Sequence, residues 1–197
     1  MAVKAEQLPG SLARSLAPVY LIAGSEPLLV QECRDQVIQA AQAQGFLERT
    51  VHEVGRSFDW DRLQEDSGAL SLFSSRKIVD VRLPSGKPGA DGAKALVAMA
   101  QSDDPDVLLL VSSGEWSGAM RKLKWTTTLS KAGVLVEIWP IKPQQLPGWI
   151  KGRMVQAGLQ PEAEAVSLLA ELVEGNLLAA QQEIDKLLLL DQGSRVS

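Results

Sequence analysis

Residues 19–31 read VYLIAGSEPLLVQ, and this stretch decides the fold of the chain. The run Val19–Gly24 is apolar without alternation, which is typical of a strand buried on both faces of a parallel sheet. Ser25 can cap a helix and Pro27 is tolerated in a first helical turn, so a helix is expected to follow. A buried strand followed by a helix predicts an α/β domain with a largely parallel sheet and flanking helices.

The same alternation of short apolar runs and helical patterns continues to residue 140. Four further strands are predicted, at TVHEV (50–54), RKIVDVRL (76–83), DVLLLVSS (106–113) and VLVEIW (134–139). Three further helices are predicted, the first capped by Asp59, the second at 93–100 after a loop at 83–92, and the third at 117–133. The first 140 residues therefore predict one α/β domain.

The pattern changes after two prolines, Pro140 and Pro143. From residue 144 onward no strand is predicted, only helices at 144–157, 161–173 and 176–190. We therefore expect two domains, an α/β domain at 1–140 and a small all-helical lid domain at 141–197. This arrangement is typical of nucleotide-binding motor domains, so the first strand–helix junction is where a nucleotide site is tested.

Composition excludes several functions for the chain on its own. The 197 residues carry a net charge of −4, which argues against this chain binding nucleic acid without partners. Cys33 is the single cysteine and His52 the single histidine, so neither a Cys/His metal cluster nor a histidine-based triad gains support. A cytoplasmic setting fits this cysteine content. No apolar run approaches the roughly 18 residues that a membrane span needs.

A working phosphate loop requires the pattern GxxxxGK[ST], and the junction AGSEPLLVQE does not provide it. Gly24 is present, but the second glycine, the lysine and the Ser/Thr are missing. Glu26 places a negative charge where phosphates would sit, and Pro27 removes an N–H donor. We therefore predict no ATP hydrolysis, no catalytic residues, no cofactor and no metal. An ATPase with an atypical phosphate site remains the alternative.

The stretch GALSLFSSRK at 68–77 places three apolar residues, Leu70, Leu72 and Phe73, among serines, a glycine and two basic residues. In one helical turn Leu70 and Phe73 would face the same way. Buried in a partner's pocket, each side chain could contribute about 1.5–3 kcal/mol. Arg76 and Lys77 could add attraction to an acidic partner at the rim. From the residues alone, the more common role of three such apolar residues beside a strand is to pack into the protein's own core.

Three stretches together resemble one family: YLIAGSEPLLVQECRDQVIQAAQAQGF (20–46), ALSLFSSRKIV (69–79) and EGNLLAAQQEIDKLLLL (174–190). They are similar to the delta subunit of the bacterial DNA polymerase III clamp loader. The resemblance implies an AAA+-like (RecA-type) fold without ATPase activity. It also implies a subunit that binds the ring-shaped sliding clamp and lets one ring interface open, so that the clamp can be loaded on primed DNA during replication.

The resemblance assigns the family's apolar clamp-contact plug to Leu70, Leu72 and Phe73. Leu72 and Phe73 match the family's Leu-Phe pair, whereas Leu70 stands where a somewhat longer apolar residue occurs. The implied partners are the sliding clamp (the beta subunit), the other loader subunits through a further helical collar domain, and primed DNA in the full assembly only. No membrane partner is implied. Because the chain ends at GSRVS, a fragment that binds the clamp but does not join the loader stably is expected. A structural subunit of another assembly remains a third hypothesis.

Overall fold

The computed structural model describes residues 1–63, 76–102, 104–190 and 195–196. The chain forms two compact units, Met1–Trp139 and Pro140–Ser197. The first unit contains the sheet and its flanking helices, and the second is mainly helical.

A single six-stranded sheet forms the centre of the first unit. Its strands are β1 (Ala2–Lys4), β2 (Val19–Gly24), β3 (Glu48–Glu53), β4 (Lys77–Leu83), β5 (Val107–Ser113) and β6 (Val134–Ile138). Their spatial order is β1–β6–β2–β5–β4–β3, and every neighbouring pair is parallel. β2 lies between β5 and β6, and all six of its residues are buried. The prediction of an α/β domain with a parallel sheet is confirmed.

Helices cover both faces of this sheet. They are α1 (Leu8–Leu12), α2 (Pro27–Gln42), α3 (Gly89–Ala100) and α4 (Lys124–Ala132). Tyr20 and Ile22 of β2 share a buried cluster with Val37 of α2, whereas Leu21 belongs to the opposite cluster with Leu129 of α4. The alternation of neighbouring side chains between two apolar layers explains why the strand is apolar throughout. The carboxyl ends of β2, β4 and β5 therefore meet at one edge of the sheet, where α2 begins.

Strand β1 was not predicted. It pairs with β6 at the sheet edge, with Val3 opposite Val136. Only Val3 of its three residues is buried. An edge strand with a single buried side chain has no repeating pattern that a sequence reading could detect.

The helix predicted at 117–133 is interrupted. A 3₁₀ turn covers Met120–Lys122, Leu123 is extended with ψ 147°, and α4 begins only at Lys124. In a continuous helix Arg121 and Trp125 would lie on one face, because they are four residues apart. With the break, Trp125 is buried while Arg121 pairs with Glu137 over 3.6 Å. Tertiary contacts thus override the local helical pattern.

Helix α3 begins inside the segment predicted to be a loop from its glycines and prolines. Gly92 belongs to this helix rather than to the loop. A Cβ on Gly92 would lie 2.3 Å from Cζ2 of Trp60. The glycine therefore permits a close approach of the indole ring to the helix, a role that composition alone does not distinguish from that of a loop residue.

The second unit contains three helices in its described part, α5 (Leu146–Gln156), α6 (Ala163–Leu172) and α7 (Leu177–Leu190). Leu177 and Ile184 of α7 are buried, whereas Leu188 is exposed. The expectation of an all-helical domain needs one correction, because the short strands β7 (Gln160–Pro161) and β8 (Arg195–Val196) form a parallel pair. Two residues are too few to produce a strand pattern in the sequence. No helix in the described ranges is long and apolar enough to cross a membrane.

Candidate functional site

The junction between β2 and α2 is where a phosphate loop would lie. Glu26 precedes the first residue of α2, with φ −102° and ψ 97°, and its side chain makes no capping hydrogen bond. Partial burial raises the pKa of the Glu26 carboxyl above its usual value. Pro27 occupies the first helical position and has no N–H to donate. The junction therefore presents an acid and lacks a donor at a position where a phosphate needs donors.

Gly24 is the remaining residue of the phosphate-loop pattern, and the packing of the sheet explains it. A Cβ on Gly24 would lie 2.4 Å from the carbonyl oxygen of Ile138 and 2.5 Å from the Ile138 Cβ. Any side chain here would push β2 away from β6, because both distances are far inside van der Waals contact. The glycine is required by strand packing, so its presence gives no support to a nucleotide site.

A cleft of about 270 Å³ opens beside this junction. Helix α2 contributes Pro27, Val30 and Arg34, which lie along one helix face at spacings of three and four residues. The carboxyl ends of β4 and β5 contribute Arg82 and Ser112. The cleft is therefore located at the strand ends, the usual place for ligands in open α/β sheets.

Two arginines, Arg34 and Arg82, supply the charge of this cleft. The Arg34 side chain is 15% exposed, and its Nε lies 3.8 Å from Oδ1 of Asp35, beyond hydrogen-bond distance. Arg82 donates from Nη2 to Oδ2 of Asp80 over 3.4 Å. The Nε atoms of both arginines are buried and have no hydrogen-bond partner in the described part of the chain. Each guanidinium thus retains a buried donor that the protein does not satisfy.

Asp80 lies in the middle of β4, is fully buried, and pairs with Arg49 of the neighbouring strand β3. Arg49 donates to Oδ2 of Asp80 from Nη2 over 2.5 Å and from Nε over 3.2 Å. Arg82 makes a longer contact to the same oxygen, so the buried carboxylate is shared by two arginines. Arg34 and Arg82 are thus the charged residues among those that line the cleft, and each has an acidic neighbour. The cleft was not predicted from the sequence, although the spacing of Pro27, Val30 and Arg34 and the alternation of Asp80 with Arg82 are visible there.

The groups considered for catalysis or metal binding are held in the core or in turns. Within residues 1–63, 76–102 and 104–190, no three His, Cys, Asp or Glu side chains are placed to hold a metal ion. Cys33 is buried in the α2-side cluster. His52 is buried and packs edge-on against Phe58, with ring centroids 5.8 Å apart. Asp104 accepts a hydrogen bond from the N–H of Asp106 over 3.0 Å, which is turn geometry.

The predicted clamp-contact residues Leu70, Leu72 and Phe73 lie outside the described residues. The described chain ends on one side of them at Leu63, which is fully buried in the core, and resumes on the other at Arg76. Their assignment as a binding plug stays a prediction.

Arg76 and Lys77, predicted at the rim of that element, lie where the chain enters β4. Arg76 donates from Nε to Oδ1 of Asp106 over 3.2 Å, and from Nη1 to the carbonyl of Gln44 over 2.9 Å. Its guanidinium lies 5.5 Å from the centroid of the Phe46 ring. The Lys77 N–H donates to the carbonyl of Asp106 over 2.8 Å. These contacts fix both backbone positions within the first unit, while a rim role stays a prediction.

The fold is shared with two kinds of solved structure. The Bacillus subtilis DNA clamp loader delta protein superposes with a TM-score of 0.70 at 21% identity, covering 98% of this chain and 59% of that one. The Thermotoga maritima RuvB Holliday junction branch migration motor superposes with a TM-score of 0.60 at 14% identity, covering 91% and 60%. The chain thus has an AAA+-like α/β fold.

Sequence comparison identifies the family. The family model described as DNA polymerase III, delta subunit, matches residues 20–139. The Escherichia coli DNA polymerase III subunit delta is 35% identical over 185 residues, covering 94% of this chain and 54% of that protein. The Haemophilus influenzae subunit is 34% identical over 188 residues with the same coverages. The chain belongs to the DNA polymerase III delta-subunit family, and it spans about half the length of the relatives it matches.

Proposed function

We propose that this chain serves as a non-catalytic clamp-loader subunit that binds the sliding clamp during bacterial DNA replication. The observation that carries the proposal is the match of 94% of the chain to relatives named DNA polymerase III subunit delta, at up to 35% identity. The fold supports it, since a protein titled DNA clamp loader delta superposes over 98% of the chain.

The binding contact is the apolar plug formed by Leu70, Leu72 and Phe73. An apolar tip flanked by small serines can enter a pocket of a partner with little steric obstruction. Two fully buried side chains of this size supply about 3–6 kcal/mol, enough for a few residues to dominate an interface. Leu72 and Phe73 are the principal contacts in this proposal, and Leu70 contributes a smaller share.

Ring opening follows from differential binding. A ligand shifts a conformational equilibrium only by the difference between its affinities for the two states. The plug therefore opens one clamp interface because it binds the open interface more tightly than the closed one. This step uses binding energy alone and requires no catalytic group on this chain.

ATP hydrolysis is not part of the proposed function. The partly buried Glu26 and the donor-free Pro27 are located where phosphates would need lysine and N–H groups. The alternative, an ATPase with an atypical site, predicts phosphate release from ATP that depends on this chain. We expect release no faster than in buffer alone, measured with the isolated chain and magnesium.

The remaining partners belong to the longer protein and its assembly. The other loader subunits are bound through a collar domain, and primed DNA is contacted in the full loader only. The net charge of −4 agrees with DNA contact only in the full loader, because the chain alone lacks a surplus of Lys and Arg to neutralise DNA phosphates. The cytoplasm is the compartment in which this function takes place.

Calorimetry with the cognate sliding clamp tests the proposal. The parent chain is compared with the Leu72→Ala/Phe73→Ala double variant, after thermal melts have established that both fold alike. We expect the parent to bind and the double variant to lose about a hundredfold or more in affinity.

The matched control is Leu168→Ala/Leu172→Ala, which truncates two exposed leucines of α6 in the second unit. This control is expected to bind the clamp like the parent. If the parent does not bind, the clamp-binding function is wrong for this chain. If the Leu72/Phe73 variant binds like the parent, the contact lies elsewhere.

A further inference from the structure

We propose that β3 is the pairing edge of a symmetric dimer, in which the strand lies antiparallel to β3 of a second copy of this chain. β3 is the last strand at one end of the sheet, and β4 is its neighbour on the other side. An edge strand offers unpaired N–H and C=O groups to another strand. The inference goes beyond the proposed function and does not depend on it, because no residue of β3 belongs to the proposed plug.

The outward backbone groups of β3 belong to Arg49, Val51 and Glu53. The N–H of Val54, just beyond the strand, donates to the carbonyl of Arg82 on β4 over 2.9 Å. Backbone groups alternate in direction along a strand, so the odd-numbered residues of β3 point their N–H and C=O groups away from β4. Within the described part of the chain these outward groups have no backbone hydrogen-bond partner. Each of the three residues therefore offers one donor and one acceptor to a second strand.

The composition of β3 leaves this edge open to pairing. Proline, lysine, bulges and very short length are common means by which proteins keep edge strands from pairing. β3 has six residues, none of them proline, glycine or lysine, whereas β1 at the opposite edge has only three. β3 is therefore the better template of the two edges for an added strand.

The charges of β3 are complementary to those of a second, antiparallel β3. Outward-pointing residues face each other when Val51 lies on the two-fold axis, opposite Val51 of the second copy. Arg49 then faces Glu53 of the second copy, and opposite charges in facing positions stabilise a strand pair. An axis at Arg49 or at Glu53 would instead bring like charges together. An axis at Thr50 would form no charge pair, so the register centred on Val51 is preferred.

The side chains that this register pairs are on the exposed face of β3. Arg49, Val51 and Glu53 alternate with less exposed residues, and Val51 is 45% exposed. Arg49 donates to the buried Asp80 from Nε and Nη2, and its guanidinium has further N–H groups for a second acceptor. Because Arg82 also contacts Asp80, two arginines share one acid, and Glu53 of the second copy would add a second carboxylate.

Sedimentation velocity of the whole chain over a wide range of protein concentration tests the dimer. We expect a concentration-dependent equilibrium between monomer and dimer. Val51→Lys places like charges on the two-fold axis, and we expect it to weaken dimerisation by about tenfold or more. Val51→Thr keeps a neutral β-branched side chain, and this matched control should stay within about threefold of the parent.

Glu53→Arg tests the register. The substitution turns both charge pairs of the dimer into arginine–arginine pairs, so we expect dimerisation to weaken by about tenfold or more. It also lowers the net negative charge of the chain, which reduces the general repulsion between copies. Weaker association therefore reports the local pairs rather than the overall charge.

Disulfide cross-linking of Val51→Cys locates the interface. Facing residues of a hydrogen-bonded antiparallel pair have Cα atoms about 5.5 Å apart, within the range that a disulfide spans. The native Cys33 is buried, so a mild oxidant should link two chains through the introduced thiols. Val155→Cys, at an exposed position of α5 in the second unit, is the control and should not link chains at the same concentration.

A parent chain that stays monomeric at its highest soluble concentration overturns the dimer. Dimerisation that Val51→Lys leaves unchanged, with no cross-link through Val51→Cys, overturns the assignment of the interface to β3. Undiminished dimerisation of Glu53→Arg overturns the register. The Leu72→Ala/Phe73→Ala variant should dimerise like the parent, whereas a dimer formed through the plug would be lost in it. Clamp binding and dimerisation are thus measured separately, and either proposal can fail without the other.

Discussion

Arg76 and Asp106 are joined by a hydrogen bond of 3.2 Å between Nε and Oδ1, at the point where β4 and β5 begin. A second hydrogen bond from Arg76, of 2.9 Å, reaches the carbonyl of Gln44 just beyond α2. Arg76 therefore connects three parts of the first unit, immediately after the stretch that contains the proposed plug. Because Asp106 pairs with its charge, Arg76 is better suited to fix the chain than to attract a partner.

The substitution Arg76→Lys separates these two roles. Lysine keeps the charge but loses the planar fork that contacts Asp106 and Gln44 together. We expect Arg76→Lys and Arg76→Ala to weaken clamp binding alike, by about threefold to tenfold. Without the contacts of Arg76, the chain beside the proposed plug has more conformational freedom, and the loss of that freedom on binding lowers the affinity. Surface plasmon resonance at several salt concentrations measures this. A rim role would instead leave Arg76→Lys like the parent and slow association only in Arg76→Ala.

Gly133 provides a stability test of the sheet. A Cβ at this position would lie 1.9 Å from the carbonyl oxygen of Val19, where β2 begins. Gly133→Ala must therefore displace backbone, and we expect a loss of about 3 kcal/mol or more in the free energy of unfolding. Urea unfolding followed by tryptophan fluorescence measures the loss, since Trp125 is buried in the same unit.

The control for Gly133 is Gly10→Ala in α1, where nothing lies within 4 Å of the added Cβ. Here alanine should change stability by at most about 1 kcal/mol, and in the stabilising direction, because it favours the helix. Equal stability of the two variants would mean that β2 and the start of β6 do not approach as closely as described.

The central strands were predictable because burial on both faces leaves a continuous apolar run. The strand at 19–24 has the predicted bounds, and those predicted at 50–54, 76–83, 106–113 and 134–139 are shifted by no more than two residues. What could not be predicted depends on contacts distant in sequence. Leu123 interrupts a helical pattern so that Trp125 is buried, and Gly92 is helical because Trp60 packs on it.

For the candidate site, the sequence predicted only that a normal phosphate loop is missing, and it did not predict the cleft. The missing lysine and the acidic Glu26 are local features, so the sequence alone excludes a normal phosphate loop. Arg34 and Arg82 are 48 residues apart in sequence and line the same cleft because β4 lies two strands from β2 in the sheet. That arrangement follows from strand order, which hydrophobic patterns do not encode.

Asp80 should contribute strongly to stability through its arginine contacts. The carboxylate is fully buried, and replacing it with asparagine leaves Arg49 and Arg82 without their counter-charge. We expect Asp80→Asn to cost stability at the lower end of about 3–5 kcal/mol, since both arginines are partly exposed. Asp35→Asn, at a half-exposed position, is the control and should change stability by less than about 1 kcal/mol. Similar unfolding midpoints for the two variants would contradict this account.

Glu26 should make the stability of the first unit depend on pH. Burial raises the pKa of its carboxyl above the usual 4.5, so the folded state binds the proton more tightly than the unfolded state. Stability from this group is therefore fully present below pH 4.5 and is lost as pH rises through the folded-state pKa. At neutral pH the charged carboxylate opposes folding, and Glu26→Gln is expected to be more stable than the parent.

Thermal melts of Glu26→Gln and parent between pH 7 and pH 4 test this sign. We expect the stability gap to close as pH falls towards 4.5, because the parent carboxyl then becomes neutral like the glutamine. Glu6→Gln removes one negative charge from an exposed position and serves as the reference for net-charge effects. A gap that persists unchanged at low pH would attribute the effect to packing. A parent that is more stable at neutral pH would mean that helix-terminus electrostatics outweigh the burial of the carboxylate.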